Sequence, residues 1–180
     1  MTAASILHRV WHLGDDVDTD ALAPGAWMQH GVDVIAQHCL ENVVPDFAAQ
    51  VRAGDVIVAG RNFGIGSSRE QAAEALVLLG VAAVIAPNYG GLFFRNAFNL
   101  GLVLLTCPAA GRIDGYDRVQ LDLKSPAVTL PSGERLACEA IPEFLLRMAQ
   151  AGGLMASLKL RMTSDPTSFN PCPTSRPETP

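Results

Sequence analysis

Three consecutive side chains, Ser67, Ser68 and Arg69, stand directly behind a glycine-rich stretch with glycines at 60, 64 and 66. An alanine-rich run that ends at Leu79 follows them. Two hydroxyls and a guanidinium in this setting suit anion chemistry. A helix starting here leaves its first backbone N–H groups unpaired and carries partial positive charge, while glycines let a ligand approach the backbone closely. Arg69 adds a planar, permanently charged fork shaped for a carboxylate or a phosphate. In such a field a serine hydroxyl loses its proton more easily than in water. The same serines also suit plain helix capping, since Ser67 with Glu70, or Ser68 with Gln71, has the capping-box spacing.

The elements that would position these groups can be read on both sides. Asp55–Ala59 is a short β-branched run and predicts a buried strand that empties into the glycine loop. Ser67 to Leu79 has helical spacing and meets Gly80 where a helix-ending glycine belongs. Val81–Ala86 and Leu102–Leu105 predict two more buried strands. Ile6–Leu13 predicts an earlier one, Val32–Asn42 a helix, and Pro45-Asp-Phe-Ala a short helix. Val119–Leu123 alternates like a half-exposed strand, and Ala127–Leu130 with Arg135–Glu139 flank Pro131-Ser-Gly133 as a hairpin. Pro142 opens a helix through Met148 that Gly152 and Gly153 end. From Thr163 to Pro180 the composition predicts a flexible tail. The uncharged run Ala75–Phe94 is long enough for a membrane span, but Gly80, Pro87, Asn88, Gly90 and Gly91 break it into a helix end and a strand.

Bulk properties narrow the classes. The chain has 180 residues, 49% hydrophobic, enough for one compact domain with a tail. A net charge of −5 argues against a general nucleic-acid binder. The four cysteines, Cys39, Cys107, Cys138 and Cys172, include no C-x-x-C pair, so no metal site is expected from their spacing. His38 beside Cys39 reads as structural, because adjacent helical positions point apart. Asp16-Val-Asp-Thr-Asp20 clusters acids but lacks the glycine and glutamate of a calcium loop. The start carries no charged leader with a long apolar core, so a cytoplasmic protein without membrane attachment is expected.

The run VAGRNFGIGSSREQAAEALVLLGVAAVIAPNYGGLFFRNAFNLGL resembles the swivelling domain of the aconitase superfamily, and within it the 3-isopropylmalate dehydratase small-subunit family. Asn62-Phe-Gly64, Gly66-Ser-Ser-Arg-Glu70, Phe94-Arg-Asn96 and Asn99-Leu-Gly-Leu102 carry the likeness, which extends from about Gly14 to Leu160. Asp16-Val-Asp-Thr-Asp20 with Ala21-Leu-Ala-Pro24 is similar to the family's opening segment.

This resemblance implies an α/β fold, a swivelling β/β/α domain with a mixed sheet and flanking helices, over residues 1–162, with the tail over 163–180. It implies a hydro-lyase acting on a branched hydroxy dicarboxylic acid, as in leucine biosynthesis, and active only with a large subunit that holds a [4Fe-4S] cluster. Ser67 would be the catalytic base, Ser68 and Arg69 would hold a substrate carboxylate, and the loop with Trp27, Met28 and Gln29 would approach the variable part of the substrate. Thr19 and Asp20 would shape the edge of the site, and Arg95 and Asn96 would line the cleft or brace it.

Departures from the family pattern are specific. Relatives often carry Arg-Tyr-Leu where Ala26, Trp27 and Met28 stand, and Ile65, Gln71 and Gly91 replace the usual cysteine, histidine and arginine. A substrate without a second distal carboxylate, another substituted malate, or a non-catalytic anion-binding module therefore stay open. A stand-alone serine hydrolase lacks support, since no G-x-S-x-G is spelled here.

Overall fold

A computed structural model describes residues 6–164. Seven strands form one mixed sheet in the order β4-β3-β2-β1-β5-β6-β7. β1 (Leu7–His12), β2 (Val56–Val58), β3 (Ala83–Ala86) and β4 (Val103–Thr106) run parallel. β5 (Arg118–Asp122), β6 (Ala127–Thr129) and β7 (Arg135–Ala137) form an antiparallel meander that joins the other edge of β1. The parallel strands read as unbroken apolar runs because helices cover them, and every residue of β2 and β3 is buried.

Helices lie in the connections. Between β1 and β2 come α1 (Thr19–Leu22), a 3-10 turn (Gly25–Trp27), α2 (Val32–Gln37) and α3 (Phe47–Gln50). α4 (Glu70–Leu78) links β2 to β3, and α5 (Gly91–Leu100) links β3 to β4. α6 (Glu143–Gln150) and α7 (Leu154–Ser164) close the described chain, with Gly152 and Gly153 at positive φ between them. Phe47, Phe63, Phe93 and Phe98 are the largest fully buried side chains of the core.

The predicted strands, the β6–β7 hairpin and the stop at Gly80, whose φ is +81°, are present. Three expectations change. The helix expected over Val32–Asn42 ends at Gln37, and turns follow it. The helix after the glycine loop begins at Glu70, not Ser67, and Arg69 occupies its N-cap position without a side-chain cap bond. Thr163 and Ser164, expected in the tail, end α7; the rest of the expected tail, with Cys172, lies outside the described residues.

Candidate active site

The loops after β1, β2 and β3 meet at the carboxyl ends of the parallel strands, the edge where α/β sheets gather ligands. Short bridges knit them together: Asp18 pairs with Ile65, and Phe63 with Tyr89. Asp16 and Asn62 are both non-glycine residues at positive φ, and the Asn62 amide donates to the Asp16 carboxylate at 2.7 Å. Asn and Asp tolerate this conformation better than other side chains do. Gly64, at φ +73°, has no alternative, because a Cβ there would collide with the Phe93 ring.

Ser67 is fixed by a residue 48 positions away. Its N–H donates to the Thr19 hydroxyl at 3.1 Å, and the two hydroxyl oxygens are 3.2 Å apart. Thr19 is buried, and its own N–H donates to the Ile65 carbonyl at 2.8 Å. Gly66 makes room for this pairing: a Cβ there would lie 2.9 Å from the Thr19 hydroxyl oxygen. The serines therefore do not cap α4. Thr19 has taken the Ser67 hydroxyl, while the Ser68 carbonyl accepts from the Asn96 amide at 3.4 Å. Both serines stay exposed.

Arg69 turns toward the loop after β1. One of its terminal nitrogens, Nη1, donates to the Asp20 carboxylate and, at 2.8 Å, to the Ala23 carbonyl. Asp20 also accepts the Gly25 N–H at 3.1 Å. The Arg69 hydrogen bond holds the Asp20 carboxyl below the usual carboxylate range; slight burial opposes this and the Gly25 N–H adds to it.

Trp27 stacks on His38 at 3.7 Å between ring centroids and 10° between planes, and its indole N–H donates to Glu41 at 3.3 Å. His38 is itself bonded to Glu41 at 2.6 Å. Met28 is half-buried, and Gln29 is exposed. The 3-10 turn that carries Trp27 begins at Gly25, the residue tied to Asp20, so this loop and the Ser67–Arg69 segment share one connection.

Arg95 and Asn96 fall on α5, with Asn96 bracing Ser68 and Arg95 exposed. Cys39 is buried and free of disulfide bonding among the described residues, and burial pushes its pKa up. Cys107 and Cys138, distant in sequence, meet in space. Their proximity shifts the two thiols apart, Cys107 down and Cys138 up, so that only one of them ionises readily. Among the described residues no group of three His, Cys, Asp or Glu side chains could hold a metal ion, and no helix is long and apolar enough to cross a membrane. Sequence reasoning gave Thr19 only an edge-shaping role. Its burial and its bond to Ser67 were not foreseeable without knowing that the two loops touch.

The parallel sheet and the serine-bearing loop at its carboxyl edge define an aconitase-type swivelling domain, and residues 28–110 match the aconitase C-terminal domain family. The 3-isopropylmalate dehydratase small subunit 1 of Methanopyrus kandleri is 42% identical over 84% of this chain and 91% of its own length. The methanogen homoaconitase small subunit of Methanothermobacter thermautotrophicus is 43% identical over 82% and 86%. The crystal structure of 3-isopropylmalate dehydratase (leuD) from Methanocaldococcus jannaschii superposes with a TM-score of 0.81 at 36% identity, covering 91% of this chain and 99% of that one. The chain belongs to the 3-isopropylmalate dehydratase small-subunit family.

Proposed function

We propose that this chain is the small subunit of a heteromeric hydro-lyase that dehydrates and rehydrates an alkyl-substituted malate, 3-isopropylmalate first among them, in the cytoplasmic synthesis of leucine. The observation that carries the reading is the hydroxyl pair of exposed Ser67 and buried Thr19, 3.2 Å apart and two residues from Arg69.

Deprotonated Ser67 acts as the base that takes the proton from the carbon beside a substrate carboxylate. The C–H electron pair forms the C=C bond, and the hydroxyl on the neighbouring carbon leaves as hydroxide, which takes a proton from an acid outside this chain to become water. A serine alkoxide is a demanding species. A hydrogen bond donated to the charged form favours it, and the Thr19 hydroxyl is at the right distance to donate one once Ser67 has given up its proton. Arg69 and Ser68 hold the carboxylate, so that positive charge lies where negative charge develops.

The family likeness, rather than anything in this chain, assigns the [4Fe-4S] cluster to the large subunit. Bound there, it would supply a Lewis acid for the leaving hydroxyl. Closure by that partner also excludes water from Ser67, which strengthens every charge interaction at the site.

The substrate choice rests on the loop at Ala26–Gln29. Two relatives of nearly equal identity bear the names of different dehydratases, so overall similarity does not decide between them. Ala26 replaces an arginine, and Trp27 presents an aromatic face supported by His38. An apolar substituent suits this surface better than a further carboxylate, for which Ala26 offers no guanidinium.

The test is anaerobic reconstitution with the cognate large subunit and turnover of 3-isopropylmalate, citramalate and homoisocitrate. Turnover of the isopropyl acid that falls by about 10²–10⁴ in Ser67→Ala supports the reading. Preference for homoisocitrate would transfer the function to the related dehydratase. A formed complex that is silent on all three would favour a non-catalytic anion-binding subunit, the reading suggested by Ile65, Gln71 and Gly91.

A further inference from the structure

Arg69 has two ways to meet a carboxylate, and the structure has used neither completely. A guanidinium offers five N–H groups: one on Nε and two on each terminal nitrogen. Both hydrogens of Nη1 are engaged, one by the Asp20 carboxylate and one by the Ala23 carbonyl. Nε and Nη2 have no partner among the described residues. Nε–H and the nearer Nη2–H run parallel along one edge, and that edge fits the two oxygens of a carboxylate. The group is thus held by one corner with its binding edge spare.

Asp20 is built to do the holding. One of its oxygens accepts both the Arg69 Nη1–H and the Gly25 N–H. Its backbone is set by α1, which Asp18 caps by accepting the Ala21 N–H at 2.7 Å. Gly25 allows the close approach, since a Cβ there would lie 3.3 Å from that Asp20 oxygen. A free arginine side chain carries about 2 kcal/mol of rotamer entropy. Fixing Nη1 before the ligand arrives removes much of that cost from the binding step.

We infer that Asp20 is a positioning residue for substrate binding: it clamps Nη1 of Arg69 so that the Nε/Nη2 edge faces the substrate carboxylate. The inference rests on the proposed role of Arg69 and goes beyond it by assigning the residue that aims it. Asp20 acts through its hydrogen-bond geometry. Its negative charge is incidental and mildly opposes the anion. An asparagine, whose amide oxygen accepts the same two bonds, therefore serves nearly as well.

The experiment is steady-state kinetics of the reconstituted two-subunit enzyme, using whichever of 3-isopropylmalate, citramalate and homoisocitrate is turned over fastest. The variants are Asp20→Ala, Asp20→Asn, Arg69→Ala and the double variant Asp20→Ala/Arg69→Ala, each checked for an unchanged melting temperature. Asp20→Ala is expected to raise KM about tenfold with kcat within about threefold, and Asp20→Asn to restore KM to within about threefold of the parent. The double variant is expected to be no worse than Arg69→Ala alone, because Asp20 has nothing to aim once the arginine is gone.

Parental KM in Asp20→Ala, with Arg69→Ala impaired, overturns the inference and leaves the role of Arg69 standing. Parental KM in Arg69→Ala removes that role itself. A lower KM in both Asp20 variants would make Asp20 a competitor of the substrate, and additive losses in the double variant would make it a general support of the fold. Either result overturns the inference. If Asp20→Ala does not fold, the asparagine variant decides alone: a tenfold loss there assigns the effect to charge and overturns it.

Discussion

Two aspartate–arginine pairs sit at opposite ends of the parallel strands, and they differ in what they leave over. At the entry to β2, the Asp55 carboxylate is 7% exposed and accepts from the Trp11 indole at 2.9 Å, the Arg52 N–H at 3.0 Å and Arg9 Nε at 3.2 Å. Arg9 spends Nη2 on the Gln50 carbonyl at 3.0 Å and lies over the Trp11 ring. Its carboxylate-binding edge, Nε with Nη2, is consumed. At the exit from β1, Asp20 is 62% exposed and grips Arg69 by Nη1 alone. The same two residue types thus make a closed knot in one place and an open hand in the other. Pairing itself is no mark of function; the spare donors are.

Substitutions can break this contrast. Ser67→Ala should have the largest effect, about a thousandfold in kcat, equivalent to about 4 kcal/mol, with the melting temperature unmoved. Asp55→Ala should do the reverse. It leaves the indole, the Arg52 N–H and a half-buried arginine unpaired, and should cost about 3 kcal/mol in urea unfolding while activity per folded molecule stays parental. A changed KM in Asp55→Ala would refute the division into knot and hand.

Tyr89→Phe is a smaller probe. The Tyr89 hydroxyl accepts the Ala86 N–H at 3.0 Å and donates toward the Val84 and Leu105 carbonyls, both at 2.9 Å. Its loss should cost about 1–2 kcal/mol in the same unfolding assay. Arg135→Ala, on the meander, removes an exposed ion pair with Asp122 and should change stability by less than about 1 kcal/mol, with no change in turnover.

The strands were legible because β-branched runs such as Val56-Ile-Val58 and Ala83-Val-Ile-Ala86 carry their own signal. Gly80 was legible for the same local reason. The capping expectation at Ser67 failed because a contact from outside the helix won: Thr19 lies too far along the chain for any capping window to include it. Arg69 was singled out as a fork and Asp20 as shaping the edge of the site, yet nothing in the sequence paired the two. α1, only four residues long, has no periodicity to detect. α7 was missed because Leu154, Met155, Leu158, Leu160 and Met162 are all exposed and define no single buried stripe. Local physics was readable, whereas pairings between distant loops were not.

The bridges from Asp18 to Ile65 and from Phe63 to Tyr89 continue the sheet past its formal ends, beneath the serine loop. The N–H of Gly64 donates a hydrogen bond to the Val17 carbonyl at 2.7 Å, and that of Thr19 to the Ile65 carbonyl at 2.8 Å, as strand residues would. In the language of hydrogen exchange, these amides belong with the core rather than with the loops, and they should open only when the sheet does. A site anchored in this way has little slack of its own, so any large motion on meeting the partner must be carried by the domain as a body.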